Sequence, residues 1–139
     1  GSDEPVEAER LASDIEAAAR ELGVSVSVGR TLDPDTPRVP GRVARALVLA
    51  TMQAVANAVQ HADAQGLAVD LRGQADPGGV VVRVRDAGGG FDVAGIPDDR
   101  LGIRGSILAR VTAAGGRTEI ESSPTGTTVT MEWESGDRW

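Results

Sequence analysis

The chain has 139 residues, of which 40% are hydrophobic, and its formal net charge is −7. This size suits one domain with a single core, and the acidic balance lacks the basic face that nucleic-acid binding requires. The chain contains no Cys, no Lys and a single His, which excludes disulfides, cysteine zinc sites, a P-loop and a multi-histidine metal site.

The N-terminal half predicts two helices separated by a strand and a loop. Apolar residues recur at helical spacing over residues 4–22, and Gly23 ends that pattern. Alternating Val and Ser predict a half-buried strand over 24–28, and three prolines within 30–41 predict a loop. A longer apolar stripe then predicts a helix over 42–62.

The C-terminal half predicts four strands and one short helix. The strands are predicted at residues 67–71, 79–85, 117–122 and 127–134. Turn sequences join them in pairs, and a helix over 103–113 separates the pairs. The order α-β-α-β-β-α-β-β predicts an α/β (α+β) two-layer sandwich, with helices on one face of a mixed, largely antiparallel sheet.

The domain boundaries follow from the ends of the chain. Gly1 and Ser2 are typical of the remnant of a cleaved tag. We therefore place one domain at residues 3–139.

The second helix carries a polar ladder beside its apolar stripe. Gln53, Asn57 and His61 are each four positions apart, so they share one helix face. The amide oxygen of Asn57 is a suitable neutral ligand for Mg²⁺. Taken alone, the ladder also fits a solvated helix face, with His61 as a hydrogen-bonding residue at the helix end.

A glycine-rich segment directly follows the strand predicted at 79–85. Asp86 ends that strand, and Gly88, Gly89 and Gly90 allow the backbone to approach a ligand closely. The Asp86 carboxylate can accept a hydrogen bond from an amine. A tight turn is the alternative, while a dinucleotide fold fits poorly because position 93 is Val and no helix opens there.

Two further positions suggest ligand contacts. Gly102 and Gly105 open the short helix and leave its N-terminal amides free for phosphate, with Arg104 as a charged contact. The Thr127 hydroxyl, at the start of the last strand, can relay a water to a ligand. Alone, these residues also fit an ordinary loop-to-helix junction and an ordinary turn.

In this order, the four segments resemble the catalytic ATP-binding domain of bacterial sensor histidine kinases, in particular the nitrate-sensor-like subgroup. That domain belongs to the superfamily of DNA gyrase B, Hsp90, histidine kinases and MutL. The matching segments are 53–62 (the N box), 86–91 and 101–105 (the two glycine boxes) and 126–127 (the final Gly-Thr element). The resemblance covers about residues 40–134 and implies a Bergerat-type ATP-binding fold.

The resemblance implies roles for the adenine side of the site. Asp86 would accept a hydrogen bond from the adenine amino group. Gly88 and Gly90 would let the chain pass beside the base and sugar. Thr127 would support the adenine through the water network of Asp86.

It also implies roles for the phosphate side. Asn57 would ligate Mg²⁺ that bridges the phosphates, and His61 would be a nucleotide-binding residue of the same helix. Gly102, Arg104 and Gly105 would bind at the phosphates. Residues 92–100 would form a short lid over the nucleotide.

The function implied by the resemblance is phosphoryl transfer from MgATP to a His on a separate dimerisation domain. ATP and Mg²⁺ are then the cofactors. That phosphoacceptor domain is the partner, and a response regulator is reached indirectly. We expect no nucleic-acid partner, no direct membrane contact, a monomeric isolated domain, and a cytoplasmic location, as a soluble protein or the cytosolic part of a membrane-bound one.

Two positions depart from the family pattern. Gln53 stands where many members have Glu as the general base, and Gln60 stands where a basic residue is common. Gln cannot take up a proton near neutral pH. Gln53 therefore stands at the catalytic position but cannot act as a general base. The sequence leaves two alternatives open: a Ser kinase switch of the anti-sigma-factor type, and a degenerate nucleotide-binding interaction module.

Overall fold

The structure is a computed structural model, and it describes residues 4–62, 66–87, 107, 109–123 and 126–135. Its elements in chain order are α1 (Ala8–Glu21), β1 (Val28–Leu32), α2 (Gly41–Ala62), β2 (Ala68–Ala75), β3 (Gly78–Asp86), β4 (Arg117–Ser123) and β5 (Gly126–Glu134). Residues 107 and 109–113 are also helical. No helix in these ranges is both long and apolar enough to cross a membrane.

The five strands form one sheet in the order β1-β2-β3-β5-β4. β1 is parallel to β2, and every other neighbouring pair is antiparallel. Helices α1 and α2 contact each other, α1 packs on β1, and α2 packs on β3. The predicted two-layer sandwich with a mixed, largely antiparallel sheet is confirmed.

The core lies between the sheet and the helices. β3 contributes Val80, Val82 and Val84, which pair with Trp133, Met131 and Val129 of β5, and all six are buried. The alternation arises because successive residues of a strand point to opposite faces. The stripe predicted for α2 is buried against them, through Val43, Leu47, Ala50, Ala54, Val55 and Ala58.

The first two predicted elements are shifted in the structure. The helix expected over 4–22 begins at Ala8, because Val6 instead exchanges backbone hydrogen bonds with Val39, at 2.7 and 2.8 Å. The strand expected over 24–28 runs over Val28–Leu32 and so extends into the predicted loop. There it pairs with β2, from Val28 opposite Val69 to Leu32 opposite Gly73.

A carboxylate of α1 sets the beginning of β1. Glu16 Oε2 accepts the Val28 backbone N–H at 2.8 Å, and Arg30 donates to both Glu16 oxygens, at 3.0 and 3.1 Å. The Arg30 hydrogen bond, followed by that from Val28, lowers the pKa of Glu16 from 4.5 to about 2. Glu16 therefore joins the first helix to the edge strand.

We expect Glu16→Gln to lower the free energy of unfolding at pH 7 by about 1 to 3 kcal/mol, because hydrogen bonds to a charged group are lost. The pKa of Glu16 is lower in the folded chain, so its contribution is full above pH 4.5 and disappears as the pH falls toward about 2. Urea unfolding at several pH values measures the difference from the parent. Glu21→Gln, an exposed position on the same helix, is the control, and a difference independent of pH would contradict the assignment.

Candidate functional site

The two strand ends that carry Asp86 and Thr127 lie side by side. Asp86 is the last residue of β3, and its Cα partner on β5 is Thr127. Two residues away on each strand lies the pair Val84 and Val129, which is buried under the helices. Because alternate residues of a strand share one face, Asp86 and Thr127 are also on the face covered by the helices. Thr127 is only 6% exposed, and Asp86 is half-buried. The fold thus places a carboxylate opposite a hydroxyl at one end of the sheet.

Gly126 makes this close approach possible. Its φ is +149°, which disfavours other residues, and a Cβ there would overlap the Asp86 carbonyl oxygen. The glycine of the predicted Gly-Thr element therefore has a steric role: it lets β5 begin directly against the end of β3.

We expect Gly126→Ala to destabilise the fold by about 1 to 3 kcal/mol, since the added methyl must displace the backbone of Asp86. Gly115→Ala is a matched control: Gly115 also has a positive φ, +94°, but a Cβ there meets nothing within 4 Å. Thermal or urea unfolding of both variants separates the steric contact from backbone strain. An equal decrease in the free energy of unfolding in the two variants would show that backbone strain alone causes the destabilisation.

Helix α2 brings the polar ladder to the same side of the sheet. The helix contacts both β3 and β5, the strands that end at Asp86 and begin near Thr127. Gln53 and Asn57 are half-buried at the border of the apolar stripe. Both side chains are therefore partly shielded from solvent. His61 lies in the last turn of α2, and its side chain is outside the described part of the structure.

Arg110 is a neighbour of the ladder that the sequence did not reveal. Its Nε lies 3.4 Å from Gln53 Oε1, to which it donates a long hydrogen bond. The two residues are 57 positions apart in the chain, and no local pattern connects them. Arg110 brings a positive charge beside Gln53, which the sequence resemblance predicts to stand at the general-base position.

Several predicted site residues lie outside the described residues. These are Gly88, Gly90, Gly102, Arg104 and Gly105, together with the proposed lid at 92–100. Their contacts with phosphate, base and sugar remain predictions. The described part of the site consists of the strand ends, Gly126 and the ladder with Arg110.

A cleft of about 390 Å³ opens beside the same strand ends. Its lining includes Gly66, Asp86, Ala87 and Gly126. Gly66 has a positive φ and lies so close to Ala87 that a Cβ there would be 2.6 Å from the Ala87 Cβ. Its lining also includes Ala68, Arg85 and Thr128, which share the outer face of the sheet. This cleft therefore opens on the side of the strand ends that faces away from α2.

Comparisons with known proteins identify the family to which this fold belongs. A family model described as histidine kinase-like ATPase domain matches residues 12–133, while no curated protein matches the chain.

Many solved structures share the fold, and the following three are examples. The histidine kinase domain of a blue-light-activated kinase from Erythrobacter litoralis EL346 has 23% identity and a TM-score of 0.65, covering 96% of this chain and 68% of that one. The ATP binding domain of PrrB from Mycobacterium tuberculosis has 21% identity and a TM-score of 0.63, covering 96% and 98%. Full-length ShkA in complex with AMPPNP has 20% identity and a TM-score of 0.63, covering 94% of this chain but 30% of ShkA.

Proposed function

The chain belongs to the histidine kinase-like ATPase domain family, and from this membership we propose that it binds MgATP as the catalytic domain of a bacterial two-component sensor histidine kinase. The observation that carries the proposal is the pairing of Asp86 with Thr127 at the strand ends, on the face covered by the helix that holds Asn57. The AMPPNP complex of ShkA supports the choice of nucleotide.

Adenine recognition is assigned to Asp86. A carboxylate only accepts hydrogen bonds, so it selects a base that offers an exocyclic amine at this position. Thr127 lies directly opposite and would hold a water between the base and the carboxylate. Gly88 and Gly90 would pass beside the base and sugar. ATP is therefore preferred over GTP, whose guanine has a carbonyl oxygen where adenine has its amine.

Phosphate binding is assigned to α2 and to the opening of the short helix. Asn57 fits Mg²⁺, because it places a neutral amide oxygen at the half-buried border of a helix that is otherwise packed into the core. Mg²⁺ prefers oxygen ligands and takes most of the others from phosphates and water. When bound, the ion neutralises phosphate charge. His61, Gly102, Arg104 and Gly105 would add donors at the phosphates.

The proposed reaction moves the γ-phosphoryl group from ATP to a His on a separate dimerisation and phosphoacceptor domain. The single His of this chain is His61, within α2, so the isolated chain is not expected to phosphorylate itself efficiently. A response regulator would receive the phosphoryl group from the acceptor domain. The proposed location is the cytoplasm, where ATP is available.

Gln53 is the observation that favours a second candidate, a nucleotide-binding interaction module without kinase activity. Its Oε1 accepts a hydrogen bond from Arg110, and an amide is not a base near neutral pH. A Ser kinase switch of the anti-sigma-factor type is the other member of the same superfamily that the motifs allow.

A phosphotransfer assay distinguishes these functions. The chain is incubated with radiolabelled MgATP and, in separate reactions, with the dimerisation domain of a sensor kinase or with an anti-anti-sigma protein. Acid-labile label on the dimerisation domain is the expected result, since phosphohistidine is labile to acid. Acid-stable label on the second protein would identify a Ser kinase. Label on neither, while AMPPNP binds, would identify an interaction module.

A further inference from the structure

Arg110 contacts the polar ladder of α2 and keeps most of its hydrogen-bond donors available. Its Nε lies 3.4 Å from Gln53 Oε1. An Arg side chain has five N–H donors, so this hydrogen bond leaves the four donors on the two Nη atoms. Within the described ranges, Arg110 makes no ion pair and no other hydrogen bond. Its positive charge is therefore not neutralised by the described part of the chain.

The fold holds Arg110 at the border between buried and exposed surface. Ile107 and Val111 are four positions apart and both buried, so they fix this helical segment on the core. Arg110 is exposed and adjoins Val111, so its side chain runs along the surface to α2. There it meets Gln53, which is half-buried at the corresponding border of α2. A ligand from solution can therefore reach the guanidinium at this contact.

The charges of the proposed site indicate what Arg110 can bind. Gln53 and Asn57 carry neutral amides, Asp86 is acidic, and the whole chain has a net charge of −7. A nucleoside triphosphate stays negative when Mg²⁺ is bound, and its terminal phosphate is the most highly charged. An acidic chain must supply local positive charge where that phosphate lies. A guanidinium is well suited, because its planar fork can donate two parallel hydrogen bonds to one phosphate.

The position of the contact matches the phosphate end of the nucleotide. Gln53 lies four residues before the proposed metal ligand Asn57, which is about 6 Å along α2. A metal held by Asn57 would bridge the phosphates, so a cation beside Gln53 lies next to them. The Nη groups of a planar guanidinium can donate to a phosphate there while Nε keeps its hydrogen bond to Gln53.

We propose that Arg110 binds the γ-phosphate of ATP through its Nη groups and makes the site select ATP over ADP. This inference rests on the proposed binding of MgATP. ADP lacks the γ-phosphate and so lacks these hydrogen bonds. Gln53 accepts from Nε and thereby fixes the direction of the guanidinium. Arg110 is then a specificity-determining residue that distinguishes the substrate from the product.

Two other roles of Arg110 lead to different results. If its hydrogen bond only fastens the helical segment to α2, replacing Arg110 weakens the binding of ATP and ADP alike. If the exposed guanidinium binds only a protein partner, replacing it changes neither affinity. Comparing a triphosphate with a diphosphate therefore separates these roles from the proposed one.

The experiment is a calorimetric titration with AMPPNP and with ADP, each with Mg²⁺, of the parent and three variants. Arg110→Gln removes the charge, and Arg110→Lys keeps the charge without the planar fork. Arg20→Gln is the matched control, because it removes the same charge from an exposed position in the last turn of α1. Thermal unfolding of each variant reports whether the fold is intact.

Arg110→Gln is expected to weaken AMPPNP binding by about tenfold or more, as for the loss of a hydrogen bond to a charged group, and ADP binding by less than about twofold. Arg110→Lys should lose part of the preference for AMPPNP, because an ammonium cannot donate in the same paired geometry. Arg20→Gln should keep the preference of the parent. In phosphorus NMR of bound AMPPNP, Arg110→Gln should shift the γ-phosphorus resonance more than the α-phosphorus resonance.

An equal loss of AMPPNP and ADP affinity in Arg110→Gln, or no loss of either, would overturn the inference. A larger loss for ADP would also overturn it, because Arg110 would then contact the β-phosphate. So would equal binding of AMPPNP and ADP by the parent. If the parent binds neither nucleotide, the proposed function itself fails and the inference fails with it, a result that needs no variant. The test does not depend on kinase activity.

Discussion

Replacing Gln53 with Glu is expected to raise phosphate release from MgATP by about 10²- to 10⁴-fold, the usual contribution of a general base. This corresponds to roughly 3 to 5 kcal/mol of transition-state stabilisation. Gln53 is half-buried and lies one turn before Asn57 on α2, so a carboxylate there would face the reacting phosphate if Asn57 holds the metal. Nucleotide affinity should change little, because Gln53 is not assigned to bind the metal.

Arg110 adds a second expectation for this variant. Its Nε donates to Gln53 Oε1, so it would also lie beside the introduced carboxylate and lower the pKa of that group. Combining Gln53→Glu with Arg110→Gln should therefore move the acidic limb of the rate profile to higher pH. Phosphate release measured across pH for the single and double variants tests this.

Gln74→Glu is the matched control for the Gln53 variant. It adds the same charge on β2, outside the proposed site, and should leave phosphate release unchanged. If Gln53→Glu also leaves phosphate release unchanged while AMPPNP still binds, position 53 does not face the reacting phosphate, or another group supplies the base.

Asp86→Asn is expected to weaken ATP binding by about tenfold to a hundredfold, since a hydrogen bond to a charged acceptor contributes about 1.5 to 3 kcal/mol. The amide that replaces the carboxylate can present its NH₂ group to the adenine amine, where a donor meets a donor. The same change should reduce the preference for ATP over GTP. Calorimetric titration with both nucleotides measures both effects.

The control for Asp86 is Asp76→Asn, in the exposed turn between β2 and β3. This turn is at the opposite end of β3 from Asp86, so the loss of the same charge there should leave affinity unchanged. ATP affinity equal to that of the parent in Asp86→Asn would contradict the adenine assignment.

Much of the fold could be predicted because its signals are local. The alternating valines of β3 and the apolar stripe of α2 define which side chains are buried. The position of β1 could not be predicted in this way. It depends on Glu16 accepting the Val28 N–H and on parallel pairing with β2, and both contacts join distant parts of the chain.

The same distinction between local signals and long-range contacts applies to the site. Asp86 and Thr127 could be selected from local motifs, but their direct pairing required the register of β3 with β5. Arg110 carries no motif, and its contact with Gln53 exists only because the helical segment at 109–113 lies near α2. The charge beside Gln53 is therefore a property of the fold.

The most direct test of the account is a calorimetric titration of the chain with AMPPNP, with and without Mg²⁺, alongside Asn57→Ala. We predict one nucleotide per chain, tighter binding with Mg²⁺, and loss of that Mg²⁺ dependence in Asn57→Ala, because the amide oxygen would be the protein's ligand to the ion. Absence of binding by the parent in both conditions would contradict nucleotide binding itself. An Mg²⁺ dependence that survives in Asn57→Ala would contradict the assignment of the metal to α2.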